Sequence, residues 1–133
     1  IVIFLIKNPA GANEVLRTLQ TQKEINLLAV LNDKLADGTD VSWIWDTNWE
    51  SLANKLKNTN ISGTRTFDLA TRFKYAGIEV KSTNLDENIQ ASLTSALKKT
   101  QTGESLIVMP TYTAMLEIQQ ILNKVGNVKW HKQ

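Results

Sequence analysis

Apolar residues fall along the chain in two rhythms. Short unbroken runs occur at Ile1 to Ile6, Ile25 to Leu31, Ile78 to Val80 and Ser105 to Met109, with the length and composition of buried strands. Between them apolar positions recur every three or four residues: Ala12, Val15, Leu16 and Leu19; Trp49, Leu52, Ala53 and Leu56; Leu69, Phe73 and Ala76; Ile89, Leu93 and Leu97; Met115, Ile118 and Leu122. That is the period of helices with one buried face. A weaker strand at Asn58 to Ser62 completes the series. Punctuation agrees with these bounds: Asn13 can open the first helix, Thr47 with Glu50 reads as a capping box for the second, and Gly77 and Gly126 sit where the third and fifth should stop.

Strands alternating with helices predict a mostly parallel sheet flanked by helices, because parallel strands need crossover connections. The expected fold is a single three-layer α/β domain, Rossmann-like, over residues 1–133. That length can close a core without staples. In such folds ligands meet the C-terminal ends of the strands. The loops there are Lys7 to Asn13, Asn32 to Asp40, Ser62 to Thr66 and Pro110 to Thr113.

Charge and composition narrow the chemistry. Fifteen Lys and Arg against 13 Asp and Glu give +2, with the basic residues scattered, so no stripe exists to neutralise a nucleic-acid backbone. Zero cysteines exclude disulfides, thiolate metal sites and a cysteine nucleophile within this chain. The only histidine is His131. The opening IVIFLI is too short to span a bilayer and lacks a basic leader. Starting inside a strand without Met, it reads as a piece of a longer protein.

No Walker sequence, dinucleotide-binding glycine motif or nucleophile elbow is present. Asp33, Asp37 and Asp40 lack the alternating spacing of a calcium loop, so no metal site is expected. A phosphoryl-accepting receiver is disfavoured because the first strand ends in Lys7 and Asn8 rather than an acidic pair.

The stretch LNDKLADGTDVSWIWD, residues 31 to 46, concentrates the remaining candidates. Asp46 reads as a cap for the following helix and Asp37-Gly38 as a turn pair. Trp43, Trp45 and Trp49, three of the four tryptophans, can pack in the core or sit at an interface. Asp40 follows a flexible Gly38 and precedes an apolar anchor. It can close a local Asx-type hydrogen bond or be held outward to orient a histidine. Arg65 can grip a phosphate or carboxylate or pair with Asp68.

Four segments, LIKNPAGANEVL (5 to 16), LNDKLADGTDVSWIWD (31 to 46), SGTRTFDLATRFKYAGI (62 to 78) and PTYTAMLEI (110 to 118), resemble in sequence and order the C-terminal domain of the MurT family. These are the Mur-ligase-like subunits of lipid II isoglutaminyl synthases. DVSWIWD is the most specific segment. Lys34-Leu35 and Thr66-Phe67 depart from the family's more polar pattern. The resemblance implies a Mur ligase C-terminal type of fold and a place in an ATP-dependent, glutamine-hydrolysing complex that amidates D-glutamate of the lipid II stem peptide to D-isoglutamine.

It further implies that the glutaminase subunit GatD is the partner, and that Asp40, opening the DxSW motif, completes its Cys-His-Asp triad in trans. Trp43 and Trp45 would lie at that interface. Asn32, Asp33 and Lys34 resemble the stretch that approaches ATP on domain closure. The nucleotide with its Mg2+, and a structural zinc, belong by the same resemblance to a preceding middle domain absent from this sequence, so this piece is expected to hold no cofactor and to be inactive alone. Work in the cytoplasm, at the inner face of the membrane, is implied too. The rival reading is a non-catalytic interaction module with a Trp-rich docking loop; a free-standing domain binding a small molecule in its four loops is a third.

Overall fold

The structure, a computed structural model, describes residues 1–125 and the strand at 131–132. Strands β1 (Val2–Ile3), β2 (Ile25–Val30), β3 (Leu56–Ser62), β4 (Leu106–Pro110) and β5 (His131–Lys132) form one sheet in the order β3-β2-β4-β1-β5. Every neighbouring pair is parallel. The connections therefore cross the sheet, three of them through helices: α1 (Pro9–Thr18), the pair α2 (Thr66–Tyr75) and α3 (Ile89–Lys99), and α4 (Tyr112–Val125).

The helices divide between the two faces. Leu16 and Leu19, Leu69 and Phe73 of α2, and Ile44, Trp49 and Leu52 pack on one side of the sheet against Leu27, Ala29 and Ile61. Leu93 and Ala96 of α3 and Met115, Ile118 and Leu122 of α4 pack on the other against Leu28, Val30 and Val108. β2, covered on both sides, is buried along its whole length, which is why its sequence is an unbroken apolar run rather than an alternation. The expected three-layer α/β fold is the one observed.

Local expectations fared less evenly. The strand expected at Ile1 to Ile6 is regular only at Val2–Ile3, but Phe4 and Ile6 still donate their amides to Val108 and Pro110 at 2.8 and 3.0 Å. Helix α1 is capped by Asn8, whose Oδ1 accepts from the Gly11 amide at 2.8 Å with Pro9 in the first position. Asn13 lies inside the helix and accepts from the Asn48 amide instead.

The helix expected from Trp49 to Leu56 is a 3-10 turn at Trp49–Leu52, after which Leu56 opens β3. Pairing decides this: the Ile25 amide bonds the Lys55 carbonyl at 2.7 Å and β2 takes residues 56 to 62 as its neighbour. Too few residues remain for a stable α-helix. The Thr47 and Glu50 capping box is accordingly absent. The Thr47 hydroxyl donates to the Trp43 carbonyl and Glu50 meets Arg72.

Ile78 to Val80 is not a strand. After Gly77, which has φ of 80°, Ile78 turns into the core alongside Phe73, and a single parallel bridge, Ile61 to Leu85, touches the outer edge of β3. The weak strand at Asn58 to Ser62 is real and longer, its polar residues absorbed by side-chain bonds such as Asn58 Nδ2 to Asn26 Oδ1 at 2.8 Å. Gly77 ends α2 as expected; Gly126 and the side chain of His131 lie outside the described residues.

Candidate functional site at the C-terminal ends of the strands

β2 and β4 are neighbours whose following segments depart to opposite faces of the sheet, the arrangement that opens a crevice at the strand ends. Here side chains lace that crevice. The Asn32 amide N–H donates to the Thr111 hydroxyl and its Nδ2 to the Thr113 hydroxyl, both at 2.9 Å, while its Oδ1 accepts from the Thr64 amide at 3.0 Å. Asp37 reaches across as well, accepting from the Thr113 amide at 2.8 Å and from its hydroxyl, and from the Lys34 amide at 3.1 Å. It thereby caps the first turn of α4 and closes the 3-10 turn at Leu35–Asp37.

The end of β3 comes close to β2 through Gly63. Its φ is 102°, and a Cβ there would stand 2.4 Å from the Leu31 carbonyl oxygen and 2.8 Å from Asn32 Oδ1. Only glycine fits. The chain can then present Thr64 and Arg65 to Asp33: the Thr64 hydroxyl donates to Asp33 Oδ1 at 2.9 Å and Arg65 Nη1 to Oδ2 at 3.1 Å. Arg65 also grips Asp68 through Nε and Nη2 at 3.0 and 2.6 Å. Bonds from Thr64 first, then Arg65, hold the Asp33 carboxyl below its ordinary range, and Arg65 does the same to Asp68. Arg65 pairs with Asp68, the local alternative left open by the sequence, and with Asp33 too.

Asp40 lies on the rim of this network. Its Oδ1 accepts from the Ser42 amide at 2.9 Å, an Asx-type turn that fixes the carboxylate, and the residue is exposed. Ser42, through its amide and then its hydroxyl, keeps the group below the usual carboxylate range and therefore charged. Asp40 borders an open hollow of about 260 Å³ whose walls include Trp45, Arg65 and Asp68.

The three tryptophans separate. Trp49 is fully buried, its indole N–H donating to the Ile44 carbonyl at 3.2 Å and its ring 4.9 Å from that of Phe73. Trp43 is half-buried against the same core. Trp45 is 49% exposed and meets Tyr75, 73% exposed, edge to face at 5.6 Å. Asp46 ends the 3-10 turn at Ser42–Asp46 and is exposed.

Behind Trp45 lies Arg72, the residue that sequence reasoning passed over. Only 4% exposed, it donates Nε to the Ile44 carbonyl at 3.0 Å, Nη2 to the Thr47 carbonyl at 2.8 Å, and both terminal nitrogens to Glu50 at 3.0 and 2.8 Å. Its guanidinium stacks 5.3 Å from the Trp45 ring. One signal was available: position 72 falls with Leu69, Phe73 and Ala76 on the buried stripe of α2, where an arginine must find several acceptors.

Of the residues matched to nucleotide approach, Asn32 is 2% exposed with its amide turned into the crevice, and Asp33 is engaged by Thr64 and Arg65. Lys34 alone presents an exposed charged end. Among the described residues, no three His, Cys, Asp or Glu side chains gather as a metal-ligand group, and no helix is long and apolar enough to cross a membrane.

An all-parallel sheet covered on both faces, with a polar rim of carboxylates, threonines and one bidentate arginine at its C-terminal edge, defines an α/β domain of the Rossmann-like class. The family profile described as MurT ligase C-terminal matches residues 5–115. A MurT subunit of lipid II isoglutaminyl synthase (glutamine-hydrolyzing) from Streptococcus pneumoniae is 30% identical over 122 residues, covering 90% of this chain and 27% of that protein. Its namesake from Staphylococcus aureus strain COL is 33% identical over 126 residues, covering 92% and 28%. The chain belongs to the MurT ligase C-terminal family, and spans roughly a quarter of the length of these relatives.

Proposed function

We propose that this chain is the C-terminal domain of the ligase subunit of a glutamine-hydrolysing lipid II isoglutaminyl synthase, and that Asp40 completes the active site of its glutaminase partner, GatD. The single observation that carries the reading is the Asp40 carboxylate: charged, exposed and fixed in place by the Ser42 amide. The sequence has no cysteine and the side chain of its one histidine, His131, lies outside the described residues; in this reading the imidazole that Asp40 orients is the glutaminase's.

In that setting the carboxylate accepts the N–H of the partner's histidine and fixes the tautomer whose other nitrogen takes the cysteine proton. The thiolate attacks the carboxamide carbon of glutamine, ammonia leaves with the proton returned by the imidazolium, and water cleaves the thioester to release glutamate. Asp40 stays ionised throughout and stabilises the imidazolium. The exposed edge of Trp45, with Trp43 bracing the loop behind it, serves as the docking surface.

ATP with Mg2+ supplies activation of the D-glutamate carboxyl of lipid II in the complete enzyme, and a structural zinc belongs to the same middle region outside this sequence. In this reading the exposed Lys34 approaches the nucleotide, with Asn32 and Asp33 holding the loop that carries it. The complete protein works in the cytoplasm at the inner face of the membrane, where lipid II is assembled.

The test is Asp40→Asn in the full-length subunit mixed with its glutaminase. Complex formation should persist while glutamate release falls roughly 10²- to 10⁴-fold, the range of a triad carboxylate exchanged for an amide. Near-normal release would reduce the domain to a docking module.

A further inference from the structure

Asp40 can orient a histidine in another chain only if its own loop keeps one position in the absence of that chain. The loop has little regular structure to hold it, since Ser42–Asp46 is a single 3-10 turn. Val41 and Ile44 anchor it in the core, and a side chain from α2 ties down its carbonyls.

We infer that Arg72 is a positioning residue for Asp40, setting the geometry of the in-trans site from beneath the Trp45 ring; the inference rests on the reading just given. The linkage is continuous. Arg72 Nε holds the Ile44 carbonyl at 3.0 Å, the Ile44 amide bonds the Val41 carbonyl at 3.1 Å, and the Ser42 amide between them holds Asp40 Oδ1 at 2.9 Å. Nη2 fixes the far end of the turn at the Thr47 carbonyl. The rigid guanidinium thus clamps two carbonyls three residues apart while Glu50 orients it from the side.

The same group meets the docking surface. Trp45 covers the guanidinium at 5.3 Å and Tyr75, one turn along α2, holds the outer edge of that ring. A partner pressing on Trp45 therefore presses on the residue that sets Asp40. Charge alone does not suffice for this role. A lysine ammonium is a point donor without the planar fork, and cannot hold the Ile44 and Thr47 carbonyls and Glu50 in one arrangement.

The experiment compares Arg72→Lys, Asp40→Asn and the double variant in the full-length subunit with its glutaminase, after circular dichroism has shown each to be folded. Arg72→Lys should bind the glutaminase and leave KM for glutamine unchanged while kcat drops about 10- to 100-fold, the cost of misplacing a group by about an ångström. The acid limb of the kcat/KM profile should move to lower pH in both single variants, because the imidazolium loses the same carboxylate. The double variant should be no slower than Asp40→Asn, since the arginine acts through the aspartate.

Turnover in Arg72→Lys within twofold of wild type, or a double variant slower than Asp40→Asn by the full Arg72→Lys factor, overturns the inference while leaving the triad reading intact. Normal turnover in Asp40→Asn overturns both. If Arg72→Lys does not fold, Glu50→Gln, which loosens the guanidinium from its exposed side, must show a smaller kcat loss of the same non-additive kind; a fully additive loss refutes the linkage.

Discussion

Replacing Gly63 by alanine tests how the two strand ends that build the rim are held together. The residue has φ of 102°, and the added Cβ would sit 2.4 Å from the Leu31 carbonyl oxygen and 2.8 Å from the Leu31 carbonyl carbon. Two costs combine. A non-glycine residue in the left-handed region costs about 1–2 kcal/mol. Relieving a contact with backbone rather than a flexible side chain adds roughly 1–3 kcal/mol, the usual penalty of overpacking.

The displaced atoms also carry the bonds that join β2 to β3. The Leu31 amide bonds the Ser62 carbonyl at 3.0 Å, the Arg65 amide bonds the Leu31 carbonyl at 2.9 Å, and the Thr64 amide bonds Asn32 Oδ1 at 3.0 Å. A loss of about 3–5 kcal/mol is expected in all, a large share of a small domain's total stability. Gly38 is the control, because its φ is 87° but nothing lies within 4 Å of where an alanine methyl would stand, so Gly38→Ala should cost only about 1–2 kcal/mol of conformational strain. Urea unfolding followed by the fluorescence of buried Trp49 reads both. With a slope of about 2 kcal/mol per molar, Gly63→Ala should move the midpoint down by roughly 1.5–2.5 M. A loss no larger than that of Gly38→Ala would show that the close approach at Gly63 carries no energy, and the reasoning would fail.

Asp37→Ala should destabilise by about 1–2 kcal/mol through loss of the cap on α4, seen as an earlier urea midpoint, whereas an unchanged midpoint would mean that its bonds to Thr113 and Lys34 add nothing beyond what water supplies. The Asp33, Arg65 and Asp68 cluster makes a pH prediction. Both carboxyls are lowered in the folded state, so their contribution is fully present above the unfolded value of about 4 and disappears as pH falls through the lowered folded values. The stability gap between wild type and Arg65→Met should therefore be constant from pH 7 to 5 and narrow below 4; a gap that stays constant into acid would refute the pairing.

The site was legible only in part, and the reasons differ by residue. Asp40 stood out because it lies between Gly38 and an apolar anchor, and the structure gives it the local bond to Ser42 and an exposed position. Asp37 read as an ordinary turn, since its partner Thr113 is distant in sequence. Arg72 was hidden inside a helical stripe whose other members are apolar, and its acceptors are carbonyls, which every residue possesses and no sequence marks.

The sequence by itself determined the α/β class, the rim loops and, among the described residues, the positions of the four α-helices, because burial on two faces of a parallel sheet imposes continuous apolar strands and periodic helices, though it also placed a fifth at Trp49 to Leu56. Tertiary structure decided the rest. Whether Leu52 to Leu56 continued a helix or entered β3 turned on β2 accepting that segment as its neighbour, and Ile78 to Val80 lost its strand because the core beside Phe73 took Ile78 first. The surroundings of two aspartates between residues 31 and 46 were settled likewise by what the fold brings within hydrogen-bonding distance, Thr64 and Arg65 for Asp33 and Thr113 for Asp37, whereas the bond from Ser42 to Asp40 is local. Short-range hydrogen bonds act over about 3 Å, while the sequence separations that supply their partners are set by the crossing of strands and helices.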